Sequence, residues 1–145
     1  MSVTYAFAHN SVSSFAILDD GRIAEVWRDG QQIRTTVFNA NGTVAVVDSL
    51  VGSVPAGMAA DAFQYDVTAL ADGGYAVTWV QYVPPSSSYY PDVKLNIYSP
   101  TGAVTASDIP VNIYADYGQN DPNVTQLQDG RIFVSWTDIG LNPVL

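Results

Sequence analysis

Apolar and polar positions alternate along most of the chain. In residues 75–79, Tyr, Val and Trp alternate with Ala and Thr, and in residues 132–136, Ile, Val and Trp alternate with Phe and Ser. A period of two in β-branched and aromatic residues is typical of β-strands. No ten-residue segment combines a helical period with helix caps. The pattern therefore predicts an all-β protein.

A ten-residue block occurs three times, at residues 18–27, 70–79 and 127–136. Each copy begins with Leu, continues to Asp-Gly, and places Trp six residues after the Gly. The three glycines are 52 (73 − 21) and 57 (130 − 73) residues apart. Asp-Gly supplies the positive φ angle of a tight turn, so each block is predicted to be a β-hairpin. A second block with a turn glycine follows the first two copies, at residues 37–44 and 97–104.

These blocks predict four short strands per unit, labelled a to d. Strand a is predicted at residues 15–18, 67–70 and 124–127, strand b at 23–27, 75–80 and 132–136, strand c at 33–38 and 93–98, and strand d at 44–50 and 104–111. A further strand is predicted at residues 3–8. Four antiparallel strands in about fifty residues are typical of a β-propeller blade.

The predicted fold is a β-propeller-like repeat of four-stranded antiparallel blades, with about two and a half units per chain. Residues 1–145 would form a single β-repeat domain, with unit 1 at about 11–53, unit 2 at about 63–113 and a partial unit 3 at about 121–145. Propellers usually have about four to eight blades, and blades bury their faces by stacking on neighbours. We therefore expect either a homo-oligomer or a part of a longer chain.

The segment at residues 67–79, Val-Thr-Ala-Leu-Ala-Asp-Gly-Gly-Tyr-Ala-Val-Thr-Trp, is followed by Asn-Ile-Tyr-Ser-Pro-Thr-Gly at residues 96–102. This pattern resembles the propeller-like repeats of large secreted bacterial calcium-binding proteins and adhesins of the RTX type. The resemblance extends over about residues 15–136. It implies an extracellular or cell-surface location in a bacterium and a role in surface binding or adhesion. The Gly-Gly-x-Gly-x-Asp nonapeptide that binds calcium in such proteins is absent from the sequence, as is their Asp-Gly-Ser-Gly segment between strands b and c.

The acidic net charge argues against some classes of binding partner. The chain has 14 Asp and Glu against 5 Lys and Arg, a net charge of −9. Nucleic acids and anionic membrane surfaces both need a basic face, so we expect no nucleic-acid partner. No apolar run reaches the length of a membrane span, and we expect no membrane insertion.

The sequence lacks the residue combinations that common classes of enzyme need. The sequence has no Cys and one His, so thiol catalysis is excluded and zinc ligands are lacking. A calcium site needs about six to eight converging oxygens, which no local segment supplies. Glycoside hydrolysis needs two carboxylates, and no pair is marked by the sequence. We predict no enzyme, no catalytic residue, no metal site and no cofactor, with calcium kept as an alternative.

Four residues at repeat positions are interpreted structurally. Trp27, Trp79 and Trp136 are expected to pack between blades rather than to stack on a ligand. Glu25 occupies a position that holds Val in the other two units. A carboxylate there must face solvent or pair with an arginine.

Two irregular segments rich in Tyr, at residues 82–92 and 114–121, are candidate binding loops. Tyr combines flat contact area with a hydroxyl, and functional loops are often irregular parts of a regular scaffold. Solvated linkers are the alternative interpretation. The predicted ligand-binding residues are Tyr82, Tyr89, Tyr90, Asp92, Tyr114, Asp116 and Tyr117.

Together these features predict a non-enzymatic extracellular binding or adhesion module of lectin-like type. It would bind a glycan or another surface ligand and assemble through its β-blades. Two alternatives stay open: a structural spacer repeat of a large surface protein, and a glycosidase-type propeller fragment.

Overall fold

A computed structural model describes residues 13–56, 64–82, 91–113 and 118–140. These residues form ten strands in three sheets, and every strand pair is antiparallel. The all-β prediction is therefore confirmed, including its four-stranded antiparallel sheets. The strand predicted at residues 3–8 lies outside the described residues. Within the described part of the chain, no helix has the length and apolarity that crossing a membrane requires.

Each sheet is a meander in which every strand pairs with the next along the chain. The first sheet contains β1 (Ser13–Ile17), β2 (Ile23–Asp29), β3 (Gln32–Phe38) and β4 (Val44–Ser53). The second contains β5 (Tyr65–Ala69), β6 (Tyr75–Tyr82), β7 (Pro91–Tyr98) and β8 (Val104–Pro110). The third contains β9 (Gln119–Gln126) and β10 (Ile132–Asp138). All ten correspond to strands predicted from the alternation and the repeat.

The Asp-Gly turns have the geometry that the sequence predicts. Gly21 has a φ of 82°, and its N–H donates to the Leu18 carbonyl at 2.9 Å. The Leu18 N–H in turn donates to the Arg22 carbonyl at 2.8 Å. The other two units repeat this pair of bonds, which is typical of a three-residue hairpin loop closed by a left-handed glycine.

Strand β9 begins earlier than the predicted start at residue 124 because it contains a bulge. Asn123 pairs with Ser135 and Asn120 pairs with Thr137, so Asp121 and Pro122 together oppose a single residue of β10. Proline lacks an N–H and is tolerated at bulges, where no ladder bond is needed. Residues 119–121, the end of the segment that reads as a loop in the sequence, thus belong to an irregular part of a strand.

The three sheets stack through their faces, and β5 contacts β1 on one side and β9 on the other. One core cluster joins the first two sheets and buries Trp79, Val77 and Val26 completely. A second cluster joins the second and third sheets; Leu95 and Val124 are among its members, and the partly buried Val134 packs against it. Fully burying such side chains contributes about 1.5–3 kcal/mol each, so these interfaces dominate the stability of the stack.

The residues at special repeat positions differ in their surroundings. Trp79 packs between sheets as predicted, whereas Trp136, on the third sheet, is exposed. Glu25 is buried, so the solvent-facing alternative for this carboxylate is wrong.

Candidate functional site

A cleft of about 270 Å³, open to solvent, lies where the starts of β1, β5 and β9 come together. All three sheets contribute to it. Its lining residues are Ser13, Ser14, Gln64, Tyr65, Asp66, Asp121, Pro122 and Asn123.

The repeat itself places polar side chains at this cleft. Ser14, Asp66 and Asn123 each lie seven residues before the turn glycine of their unit (21 − 14, 73 − 66 and 130 − 123). The first strands of the three sheets therefore bring the same repeat position to the same place three times. In each unit this position holds a short polar residue rather than an apolar one.

Asp66 connects β1, β5 and β9 at the cleft through hydrogen bonds. The Ser14 hydroxyl donates to Asp66 Oδ1 at 2.8 Å, from β1. The Val124 backbone N–H donates to Asp66 Oδ2 at 3.0 Å, from β9. Both carboxylate oxygens thus already accept a bond from a neighbouring sheet, and Asp66 positions the walls of the cleft.

Asp121 presents the second carboxylate. Its φ is 52°, in the left-handed region that residues other than glycine adopt rarely. Its backbone N–H donates to Gln64 Oε1 at 2.7 Å, which links the third sheet to the residue that precedes β5. The Asp121 side chain is exposed and is available to a ligand in the cleft.

Tyr65 forms the aromatic part of the wall and is half-buried. Burial raises the pKa of its hydroxyl above the ordinary value, with the charge of Arg28 opposing this effect and that of Glu25 adding to it. The phenol is therefore protonated at neutral pH. Since none of the described lining residues is Lys or Arg, the cleft offers carboxylate, amide and hydroxyl groups but no cation.

Of the ligand-binding residues predicted from the sequence, two lie in the described part of the chain. Tyr82 ends β6, pairs with Pro91 and is buried. Asp92 lies in β7, where its Oδ1 accepts a 2.9 Å bond from Asn112 Nδ2. Neither lines the cleft. The other five, which lie outside the described residues, are Tyr89, Tyr90, Tyr114, Asp116 and Tyr117. The two loops stay a prediction.

None of the individually predicted ligand-binding residues that the structure describes lines the cleft, but Asp121 is the last residue of the candidate binding loop at residues 114–121. A usable signal existed in Ser14, Asp66 and Asn123, because the same strand position is polar in all three units. Asp121 carried no such signal, because its conformation depends on the bulge in β9.

No group of three or more His, Cys, Asp or Glu side chains in the described ranges is arranged to hold a metal ion. Comparison of the chain with protein families, with curated protein sequences and with solved structures finds no match. Function is therefore inferred from the cleft and from the way in which the sheets stack.

Proposed function

We propose that this chain is a non-enzymatic binding module that holds a carbohydrate in the cleft between β1, β5 and β9. One observation carries the proposal: polar residues from three sheets converge on a single open cleft. A repeat that acted only as a spacer would gain more from apolar side chains at these inner positions, because buried or half-buried polar groups need partners.

The lining groups match the chemistry of a sugar. Sugar hydroxyls both donate and accept hydrogen bonds, so they can donate to the Asp121 carboxylate and accept from an amide or the Ser13 hydroxyl. The ring of Tyr65 adds an apolar surface beside these groups. Two carboxylates, with no Lys or Arg among the described lining residues, disfavour phosphate or sulfate groups. Ligand sites usually measure about 300–1,000 Å³, so a cleft of 270 Å³ suits one terminal sugar unit.

The stacking of the sheets supports a propeller-like arrangement. Propeller blades surround a central channel, and the first strand of each blade faces that channel. Here β5 lies between β1 and β9, which are the first strands of their sheets. We propose that the three sheets are successive blades and that the cleft opens at the channel.

The hydrogen bonds that the Asp66 carboxylate accepts favour ligand binding over glycoside hydrolysis. Glycoside hydrolysis requires two carboxyl groups that act as acid, base or nucleophile. Asp66 already accepts bonds from Ser14 and Val124 with its two oxygens, which leaves Asp121 as the only carboxylate among the described lining residues that is not engaged in this way. We expect no turnover of an aryl glycoside by the purified chain.

An extracellular bacterial location and an adhesive role are proposed on the resemblance of the repeat alone. Calcium stays an alternative ligand of the protein. The structural spacer stays the alternative function.

A glycan array, run once with calcium and once with a chelator, tests the proposal. Selective binding in both conditions is the expected result. Binding that disappears in chelator would assign a role to calcium, and no binding in either condition would favour the spacer.

The location of the site is tested separately. Replacing Tyr89 and Tyr90 with Ala removes the aromatic groups of the first predicted loop. If glycan binding is lost in that double variant but is unaffected by changes at Asp121, the site lies on the loop and not in the cleft.

A further inference from the structure

The first sheet exposes, at one end of the stack, a repeat position that is buried elsewhere. Phe15 of β1 is 64% exposed. The equivalent residues, six positions before the turn glycine in the other units, are Val67 and Val124, which are 5% and 7% exposed. These two are covered because a preceding sheet packs on that side. Phe15 has no such sheet before it among the described residues.

The third sheet exposes the complementary position at the opposite end. Phe133 of β10 is 53% exposed. Its equivalents, three positions after the turn glycine, are Ala24 and Ala76, and both are fully buried by the sheet that follows. The two ends of the stack thus expose, at Phe15 and Phe133, two positions that are buried wherever two sheets stack within the chain.

Two equivalent arginines, Arg22 and Arg131, show the same difference between an interface within the chain and the end of the stack. Arg22 Nε donates to Asp20 Oδ2 at 2.6 Å, and its Nη1 donates to the Pro100 carbonyl of the second sheet at 2.7 Å. Its side chain is 18% exposed. Arg22 therefore belongs to the contact between the first two sheets.

Arg131 is the equivalent of Arg22 on the third sheet. Its Nε donates to Asp129 Oδ2 at 2.8 Å, so the side chain is held as Arg22 is held by Asp20. Yet the Arg131 side chain is 76% exposed. The Arg131 guanidinium is therefore positioned to contact a further sheet, which the described residues do not include.

We propose that the chain associates head to tail with a second copy of itself. The third sheet of one copy would pack its Phe133 face against Phe15 and Ile17 of the next copy. Arg131 would donate to the carbonyl of Ala40 in that copy, because Ala40 and Pro100 both lie two residues before a turn glycine (42 − 40 and 102 − 100). The contact is confined to β1 and the neighbouring turn, since Glu25 and Phe38 on the same face are already buried.

The occupant is a second copy because the proposed interface continues one that the chain already makes twice. It joins two different surfaces, and a heterologous contact produces rings or open assemblies rather than two-fold dimers. The proposal does not depend on ligand binding at the cleft, which lies among the inner strands of a single copy.

Sedimentation velocity on the full chain tests this arrangement. The wild-type chain is expected to form species larger than a monomer as its concentration rises through the micromolar range. Phe15→Asp and Phe133→Asp each disable one end and should be monomeric alone. Mixed in equal amounts, the two variants should form a heterodimer, since each supplies the end that the other lacks.

Val104→Asp is the matched control, because Val104 is 50% exposed but lies on the outer strand of the middle sheet. It should assemble like the wild type. Arg131→Ala should weaken the association several-fold, and far-UV circular dichroism should show that all variants keep their sheets. A wild-type chain that stays monomeric at high concentration, a single-end variant that dimerises alone, or a mixture that stays monomeric would each overturn the proposal.

Discussion

The hydroxyl of Ser14 donates a 2.8 Å hydrogen bond to the carboxylate of Asp66, which joins the first strand of the first sheet to that of the second. The other oxygen of the same carboxylate accepts the N–H of Val124 from the third sheet. One side chain therefore fixes the relative positions of three strands. These bonds hold the walls of the cleft in position.

Asp66→Ala should destabilise the fold more than Ser14→Ala. The first change leaves the Val124 N–H and the Ser14 hydroxyl without their acceptor and should lower the free energy of unfolding by roughly 2–3 kcal/mol. The second removes one bond and should cost about 1 kcal/mol. Urea unfolding of both variants measures the difference. Equal losses would mean that Asp66 does not join all three strands.

Gly52→Ala should also be destabilising, because Gly52 lies against the indole of Trp79. An added Cβ would lie 2.5 Å from Trp79 Nε1. Relieving that overlap requires the ring or the strand to shift, at a cost of about 1–3 kcal/mol. Urea unfolding supplies the free energies.

The control for this prediction is the same change made in a Trp79→Leu background. The smaller side chain leaves space, so Gly52→Ala should cost less there, and the two effects should be non-additive. An identical cost in both backgrounds would show that the glycine is needed for a reason other than the indole.

Stability should fall at high pH because two tyrosines are buried between the first two sheets. Tyr75 and Tyr98 stack with ring centroids 4.7 Å apart and 4° between the ring planes. Burial raises the pKa of Tyr75 to about 12 from 10.0, with a Thr35 hydrogen bond opposing it, and burial also raises the pKa of Tyr98. The folded state therefore holds these protons more tightly than the unfolded state does.

The direction of this pH dependence follows from the linkage between proton binding and folding. Stability from a raised tyrosine pKa is fully present below pH 10 and is lost as the pH rises from 10 to about 12. Unfolding by urea at a series of pH values should show this decline, and Tyr75→Phe should reduce its slope. A decline of unchanged slope in the variant would assign the effect to other groups.

Period-two alternation and the turn glycines were sufficient to locate all ten strands. These signals are local, since a strand alternates by its own pleat and a hairpin needs its own left-handed residue. The start of β9 was missed because residues 114–121 read as a loop, whereas a bulge allows Asp121 and Pro122 to belong to a strand. The burial of Glu25 was left open because the sequence alone does not show how much of the outer face of the first sheet is accessible to solvent.

The cleft was missed for a different reason. Asp66 and its partners Ser14 and Val124 are separated by more than fifty residues and meet only when the sheets stack. The repeat did contain one signal of the site, because the strand position seven residues before the turn glycine is polar in all three units. The local sequence pattern identified the strands and turns. Predicting that the polar position of each unit meets the others in one cleft requires knowing how the sheets stack on one another.

The measurement that tests the proposed function most directly is a binding titration with a matched pair of variants, using the tightest ligand from the glycan array. Asp121 and Asp108 have nearly the same backbone conformation, with φ of 52° and 53°, but only Asp121 lines the cleft. Glycine adopts positive φ readily, so Asp121→Gly and Asp108→Gly each remove a carboxylate without backbone strain. Asp121→Gly should weaken binding at least about tenfold, the effect of losing one charge-assisted hydrogen bond, while Asp108→Gly should bind like the wild type. Unchanged affinity in Asp121→Gly would contradict the assignment of the cleft as the binding site.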